Sequence, residues 1–388
     1  MKTKTHTMRA LTAAMLFALA AGAPQAMDLT VGGMIDTGLR LHHVNDGSTG
    51  SKTSYEMADS LLDGNRVLFL GTEQLNSETE VGFWLEAGFD SDTGASTTAG
   101  SIFDRGAYMW VKNNHWGQLS AGRSGAVRAG ATPLTFDITW NRINPFGTGW
   151  GELGNPVFLM PFYGFSLNNM LQYSSPKIGP FQVNLQHSFA IANGTDVVEG
   201  TSSADRYSSI SVTYDSEVVN LVAMLDTMNE SSTSADQKDM VSALVGGNVK
   251  VGAAKLYAWG SWFKDADNII ALPGFTDYTL YQGLDRINGW AASVGTRLPL
   301  AGGEINVYGL VLKAKYDDVV STDTAAQIGK DLSRYGAGVG YTYPLSKRTT
   351  LYSAVGFYKD VASLTNSDGH TFDNPMSSQL FFGINHKF

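Results

Sequence analysis

The chain has 388 residues, a formal net charge of −9, 43 glycines and no cysteine. Its acidity argues against nucleic acid as a partner, and without cysteine it has no disulfide framework to make it rigid. Beyond the N-terminus, no segment approaches the about 18–20 continuous apolar residues of a membrane-spanning helix. The glycines, together with many Tyr, Phe and Trp residues, favour a long series of strands and tight turns.

Residues 1–26 have the parts of a secretory signal peptide. Lys2, Lys4 and Arg9 precede a short apolar run at 11–21, and small residues follow that run. A basic start, an apolar run too short to span a membrane and a small-residue end are typical of a cleaved export signal.

Cleavage is expected after Ala26, with Ala23 as the alternative that would leave Pro24 directly after the cut. Residues 27–388 are then one domain. Because the leader carries three basic residues and no acid, its removal takes the formal charge from −9 to −12.

The remaining chain repeats one pattern, in which apolar side chains alternate with a more polar set. Val81, Phe83 and Leu85 form an apolar set, and Glu86 belongs to the other. A carboxylate inside such a run fits a strand with water on one side, because a core with two apolar sides would leave the charge unpaired. The pattern predicts sixteen strands, at 28–41, 65–73, 80–89, 103–112, 117–124, 169–175, 181–192, 206–215, 218–227, 239–247, 251–263, 286–298, 304–315, 333–343, 348–359 and 378–388.

Eight long loops and seven short turns alternate between these strands, so the long loops share one rim. The last strand keeps its alternation as far as Phe388, as expected of a strand that pairs with the first. An even strand number and long loops on one side are typical of outer-membrane barrels, and such a barrel is too wide for side chains to fill. The predicted fold is all-β, a 16-stranded antiparallel transmembrane β-barrel in the cell outer membrane. A secreted β-sandwich is the alternative, and it fits the one-sided loops less well.

The third long loop, at about 125–168, is unusually apolar. It contains four prolines and eight aromatic residues, which are Phe136, Trp140, Phe146, Trp150, Phe158, Phe162, Tyr163 and Phe165. So many aromatic residues imply burial, and a barrel offers its lumen for that. We expect this loop to fold inward and to narrow the pore. The alternative is an outer lid or an interface with a partner.

Several short motifs resemble those of one family. Leu-Ser-Lys-Arg-Thr-Thr-Leu-Tyr at 345–352, followed by Gly-Phe-Tyr at 356–358, resembles the penultimate turn and strand of Gram-negative general-diffusion porins of the neisserial and burkholderial type. Similar motifs in matching order lie at 71–73, 103–108, 117–123 and 386–388. The resemblance implies a homotrimer of barrels, each with its own water-filled pore for passive diffusion of small hydrophilic solutes and ions. It implies no enzymatic activity and no cofactor.

In that family, basic residues on the barrel wall face acidic residues on the inward loop. Carried over by position, the pore-constriction residues here are Arg66, Arg105 and Arg123 on the wall and Asp137 and Glu152 on the loop. Opposite rows of charge would create a transverse field in a throat of low dielectric constant, which orients water and polar solutes. Alternatively, each arginine could pair with a nearby carboxylate for stability.

Three positions that are often basic in the family are not basic here, namely Leu70, Ser166 and Gln172. The constriction therefore has fewer cationic groups than the family pattern. Together with the charge of −12 after leader removal, this predicts a weak preference for cations.

Two other functions stay open. Trp140 and Trp150 could form a stacking path for sugars or organic ions in a substrate-specific porin. An outer-membrane barrel enzyme fits less well, because no Ser/His/Asp set lies in a nucleophile context and no spacing suggests zinc. His42 and His43 are adjacent in a predicted loop, where we expect no metal site. Outer-membrane lipid and lipopolysaccharide are expected partners, with loop carboxylates such as Asp317 loosely binding the latter.

Overall fold

The structure is a computed structural model. It describes residues 27–388 apart from 49, 129, 131, 147–152, 162, 192–196, 233–237, 267–268, 271, 276–286, 317–330 and 366–370. The expected signal peptide lies outside the described residues, and so do Trp150, Glu152 and Asp317.

Seventeen strands form one antiparallel sheet. They are β1 Asp28–Asn45, β2 Ser51–Asp59, β3 Arg66–Gln74, β4 Thr79–Gly88, β5 Gly106–Asn113, β6 Gly117–Gly125, β7 Ser166–Ser174, β8 Phe181–Ser188, β9 Arg206–Asp215, β10 Val219–Asn229, β11 Met240–Val251, β12 Ala254–Ala266, β13 Ile287–Leu300, β14 Gly303–Tyr316, β15 Asp331–Pro344, β16 Thr349–Val361 and β19 Met376–Lys387. A separate hairpin consists of β17 Ser363–Thr365 and β18 Thr371–Asp373. From β3 to β16 each strand pairs with the next, and long and short connections alternate as the sequence predicted.

The sheet closes between its first and last strands. β1 and β19 pair from Met34 with Lys387 to Asn45 with Met376. Beyond that register, the backbone of Gly33 exchanges hydrogen bonds of 3.2 and 3.1 Å with that of the terminal phenylalanine. The predicted 16-stranded closed barrel is confirmed.

The predicted loop at 42–64 is wrong over most of its length. β1 continues to Asn45, and β2 returns along its second half, whereas β3 pairs with its first half. β2 and β3 therefore follow one another along the same side of β1 and share one position in the ring, so seventeen strands make sixteen positions. The sequence carries no strand signal here, because the largely polar residues of β2 do not show the apolar alternation of the other strands.

A buried carboxylate holds the change from β2 to β3. Asp36, in β1, accepts hydrogen bonds from the backbone N–H groups of residues 61–63. It also accepts from the Tyr352 hydroxyl at 2.6 Å and from the Asn385 side-chain amide at 3.0 Å. Because these two partners stand on β16 and β19, one acid fixes the crossover at the place where the barrel closes.

The turn after the strand predicted at 239–247 is also displaced. β11 runs to Val251, and the turn follows at 252–253, where Gly252 has a φ of +60° that favours glycine. Asn248 pairs with Tyr257 across β11 and β12. The polar residues at this end of β11 belong to the strand because the inner face of the barrel accepts polar side chains.

The two faces of the sheet differ in polarity. Leu221, Leu225, Val245 and Trp262 point to one side and are between 46% and 64% exposed. Asp226, on the other face of β10, is 4% exposed. Rows of exposed apolar side chains around the outside suit lipid, and the buried polar side chains mark the inside.

Between β6 and β7 the chain leaves the sheet as residues 126–165, called the 126–165 segment below. Its described residues form two helices of one turn, α1 Pro133–Phe136 and α2 Trp140–Ile143, and a 3-10 helix, Pro156–Leu159. Its fully buried residues include Ile143, Leu153, Leu159 and Met160, each 0% exposed. Within the described part of the chain, no helix is long and apolar enough to cross a membrane.

Candidate functional site

The 126–165 segment is tied at three places to strands between β9 and β15, none of which is a neighbour of β6 or β7 in the ring. The first tether is Arg128, whose guanidinium binds both oxygens of Asp226 in β10 at 2.5 Å. Arg128 also contacts the Ser242 hydroxyl, and Tyr207 donates to Asp226 at 3.0 Å. A two-pronged pair that is shielded from solvent is strong and directional. It fixes the start of the segment to the inner face of the wall.

The second tether lies at α2. The Arg142 side chain binds Asp215 in β9, and the amide of Asn248 in β11 donates to the Arg142 carbonyl at 2.8 Å. Arg297 in β13 donates to the carbonyl of Pro145. Three strands therefore hold the middle of the segment through polar groups on their inner faces.

The third tether is completely buried. Arg334 in β15 and Asp360 in β16 are both 0% exposed and form two hydrogen bonds of 2.7 and 2.8 Å. Arg334 also donates to the carbonyls of Phe158 at 2.8 Å and Ile270 at 2.7 Å. Because Ile270 belongs to the connection between β12 and β13, one arginine holds two separate segments against the wall.

The described part of the tethered segment packs against one side of the wall. Its buried apolar side chains form one cluster mainly with residues of β9–β16, including Phe146, Leu153, Phe158, Tyr308, Leu312 and Tyr358. A polar cavity of about 370 Å³ lies in another sector, between α1 and the inner faces of β3–β8. The interior is therefore divided into an apolar, packed side and a polar side.

Two of the five expected constriction residues lie together on the wall. Arg66, at the start of β3, and Arg105, just before β5, bind the same oxygen of Glu86 at 3.2 and 2.7 Å. Arg66 also binds Asp63. Glu86 is 0% exposed and accepts a third hydrogen bond, from the Trp84 indole N–H at 2.7 Å. The positive charge of this pair is thus balanced on the wall itself.

Arg123, in β6, makes different contacts. Its Nε donates to the backbone carbonyl of Asp104 at 2.7 Å, and its Nη1 donates to the Asn168 side chain at 2.5 Å. These bonds join the end of β6 to β7 and to the connection before β5. Arg123 is therefore held at the base of the 126–165 segment.

Of the two expected loop acids, Asp137 directly follows α1, is exposed and accepts a hydrogen bond from Asn141 at 3.0 Å. It lines the polar cavity. Among the described residues, the hydrogen bonds of the three wall arginines go to other partners than Asp137. Glu152 lies outside the described residues, so the expected facing rows of charge stay a prediction.

Sequence reasoning missed most of the acids that partner basic residues inside the barrel. The alternation predicts that Glu86 lies on the polar face, but it does not identify Glu86 as the partner of two arginines. Asp226 and Asp360 carry the same signal, a carboxylate at an inner position of an alternating strand. The arginines that bind them, Arg128 and Arg334, are 98 and 26 residues away in sequence, and no local pattern connects such pairs.

Three aromatic side chains form a row on the inner face of β4 and β5. Trp84 and Tyr108 stand opposite each other, with ring centroids 6.5 Å apart and planes inclined by 15°. Trp110 follows at 6.0 Å from Tyr108, and its indole N–H donates to Glu80 at 3.1 Å. Gly82 allows this position, because a Cβ there would be 2.2 Å from the Trp110 ring.

Trp140, expected as part of a stacking path, is buried. It is 2% exposed and packs edge-on against Phe165, with centroids 5.9 Å apart. Its ring belongs to the packing of the 126–165 segment, and the aromatic rings on the polar side of the lumen are instead those of β4 and β5.

Acidic side chains gather at the long-loop rim beside β2. Asp59 accepts from the backbone of Ser91 at 3.2 Å, which holds the connection between β4 and β5 against the end of β2. Partial desolvation and the nearby carboxylates, Asp59 first among them, raise the pKa of Asp90. In the part of the chain that the structure describes, no group of three or more His, Cys, Asp or Glu side chains could hold a metal ion.

The chain matches the Gram-negative porin family over residues 10–363. It is 28% identical to an outer membrane porin protein of Bordetella pertussis, over 98% of this chain and 100% of that protein. It is 25% identical to outer membrane porin protein 32 of Delftia acidovorans, over 88% of this chain and 87% of that one.

Solved structures show the same fold at lower identity. An anion-selective porin from Comamonas acidovorans is similar with a TM-score of 0.68 and 20% identity, over 94% of this chain and 100% of that one. OmpT of Vibrio cholerae, in its trimer form, is similar with a TM-score of 0.59 and 12% identity, over 94% and 100%.

The family match covers far more than half of the chain, and its relatives are porins rather than enzymes. The closed barrel and its apolar outer face agree with a protein surrounded by lipid. The chain therefore belongs to the Gram-negative porin family and is a channel-forming β-barrel of the cell outer membrane.

Proposed function

We propose that this barrel is a water-filled channel for passive diffusion of small hydrophilic solutes and ions. The observation that carries the proposal is the divided interior, in which an apolar packed side leaves a polar path beside β3–β8. A barrel wall lined with charged and amide groups keeps water in that path.

The 126–165 segment is the proposed constriction. Its three tethers, which bond it to inner-face groups of strands between β9 and β15, support a position in the lumen, where it reduces the open cross-section. The residues proposed to set the field there are Arg66, Arg105, Arg123, Asp137 and Glu152. Because Glu86 and Asp63 already balance the first two arginines, the field is weaker than five isolated charges would give.

A weak preference for cations is the proposed selectivity. The charge of −12 after leader removal and the carboxylates beside β2 attract cations to the long-loop rim. The Comamonas porin is anion-selective. Similarity at 20% identity shows a shared fold, but it does not show that the charged residues of the constriction are shared. Arg66 and Arg105 are bonded to acids of the wall, and Arg123 is bonded to a backbone and an amide oxygen, which reduces the attraction of these three for anions.

Conductance of the purified native oligomer in a planar bilayer tests the channel. In KCl we expect current steps that are proportional to voltage. In a KCl gradient we expect the reversal potential to shift from zero toward the equilibrium potential of K⁺. If the protein adds no conductance to the bilayer, the proposed channel is refuted. If the reversal potential shifts toward the equilibrium potential of Cl⁻, only the proposed cation preference is refuted.

A homotrimer is proposed from the family resemblance, supported by the trimer form of OmpT, which shares the fold. Outer-loop carboxylates such as Asp317 are proposed to bind lipopolysaccharide through divalent ions. Light scattering of the detergent-solubilised protein tests the first proposal, with a monomer as the contrary result. Release of lipopolysaccharide by chelator, followed on gels, tests the second.

A further inference from the structure

The polar cavity beside β4 and β5 has the composition of a small-molecule site. Its volume of about 370 Å³ falls in the range of roughly 300–1,000 Å³ that such sites occupy. Trp84 and Trp110 line it and are half-buried, and their indole N–H groups are already bonded to Glu86 and Glu80. Those bonds hold the two rings in place, and a ligand can use only the ring faces and edges.

Asn184, in β8, gives a second and independent observation. It lines the same cavity and is 1% exposed. Neither its Nδ2 nor its Oδ1 has a hydrogen-bond partner among the described residues. A buried amide with neither a donor nor an acceptor bond is uncommon, because both groups lose their bonds to water. An occupant that both donates and accepts would satisfy it.

The charges around the cavity favour a neutral occupant. Glu80 and Asp137 contribute two carboxylates, Lys112 contributes an ammonium group, and the Arg142 guanidinium is already paired with Asp215. Charges of both signs therefore surround the cavity, so an anion or a cation would be attracted by some of them and repelled by others. A molecule with an apolar face and a rim of hydroxyl groups suits all of these features, because the apolar face can stack on an indole ring while the hydroxyls bond to amides and carboxylates.

We propose that Trp84, Trp110 and Asn184 form a binding subsite for a neutral pyranose sugar inside the pore. This inference rests on the proposed channel and adds a substrate class to it. A pyranose ring stacks on Trp110 or Trp84, and its hydroxyls exchange hydrogen bonds with Asn184 and with Gln118 or Gln182, which also line the cavity. The subsite slows the passing sugar and raises its local concentration in the pore.

The test is block of KCl current by maltose in planar bilayers, using the native oligomer. Maltose should reduce the current in a saturable way, whereas polyethylene glycol of equal hydrodynamic radius should reduce it without saturation. Trp110→Leu should raise the half-blocking maltose concentration by roughly 2- to 10-fold, and Trp110→Phe by less. Asn184→Leu should raise it independently.

Trp262→Leu is the matched control, because Trp262 is on the outer face and 49% exposed. It should leave the maltose block unchanged. Conductance in KCl alone reports whether each variant forms a pore, and a wild-type channel that conducts without saturable block overturns the sugar subsite while leaving the channel intact. An unchanged half-blocking concentration in Asn184→Leu would mean that only water satisfies this amide, and that result also counts against the subsite.

Discussion

Replacement of Arg334 by methionine should loosen the constriction. Arg334 and Asp360 are both 0% exposed, and Arg334 also bonds to the carbonyls of Phe158 and Ile270. Removing one partner of a buried ion pair costs about 3–5 kcal/mol. Undocking of the segment lets water reach Asp360, and a relief of about 3 kcal/mol lowers the ratio of docked to undocked segment by more than about 100-fold.

Single-channel recording measures this effect directly. Arg334→Met channels should show a higher mean conductance and more current noise than the wild type, because the 3-10 helix and the connection after β12 lose their common anchor. Liposome swelling should show entry of larger neutral solutes. Arg348→Met, in the exposed turn after β15, is the matched control and should behave as the wild type.

The double variant Arg334→Met/Asp360→Leu separates two causes. It removes the buried charge left by the single change but does not restore the bonds to the two carbonyls. If the bonds to the two carbonyls hold the segment, the double variant keeps the raised conductance and current noise of the single variant. If the unpaired carboxylate of Asp360 alone causes the opening, the double variant returns to the conductance and current noise of the wild type. A folded Arg334→Met channel with wild-type conductance and noise would refute the anchoring role altogether.

Four further results are expected. Glu86→Gln removes the acid shared by Arg66 and Arg105, so the reversal potential in a salt gradient should move toward the anion side; no movement would show that Glu86 does not influence permeating ions. Val245→Arg, on the outer face at 64% exposure, should cost about 2–4 kcal/mol of folding free energy if it lies near the bilayer midplane, measured by urea titration in lipid vesicles, with Val245→Thr as the control. Deletion of Phe388 removes two backbone hydrogen bonds with Gly33 and should lower the yield of heat-modifiable barrel on gels, and an unchanged yield would contradict its part in closure. Acidification should weaken cation preference, because the raised pKa of Asp90 means that this carboxylate gains its proton at a higher pH than an ordinary aspartate; Asp90→Asn should reduce that pH dependence.

The barrel could be predicted because its information is local. Alternation at a period of two marks each strand, and the alternation of long and short connections marks the two rims, so strand number and orientation follow from the sequence. The exceptions have a common cause. β2 and the end of β11 are rich in polar residues. In such segments the apolar alternation is weak, and the sequence does not distinguish a strand from a loop.

The site was harder to predict because its partners are distant in sequence. The aromatic content of the 126–165 segment indicates burial. The strands that this segment contacts, however, are determined by the order of the strands in the closed barrel. Asn184 gave no signal in the sequence, since an amide at an inner strand position is ordinary. Trp84 and Tyr108 become a row only through the register of β4 and β5.

The tethers also constrain the order of folding. Arg128 and Asp226 are 98 positions apart, and Phe158 and Arg334 are 176 apart. The two partners of each pair are far apart in sequence, and closing so long a loop costs entropy that only the finished wall repays. The constriction therefore forms after β10 and β15 have joined the sheet. Before that point the 126–165 segment is not yet anchored, and the interior of the barrel is wider than in the folded protein.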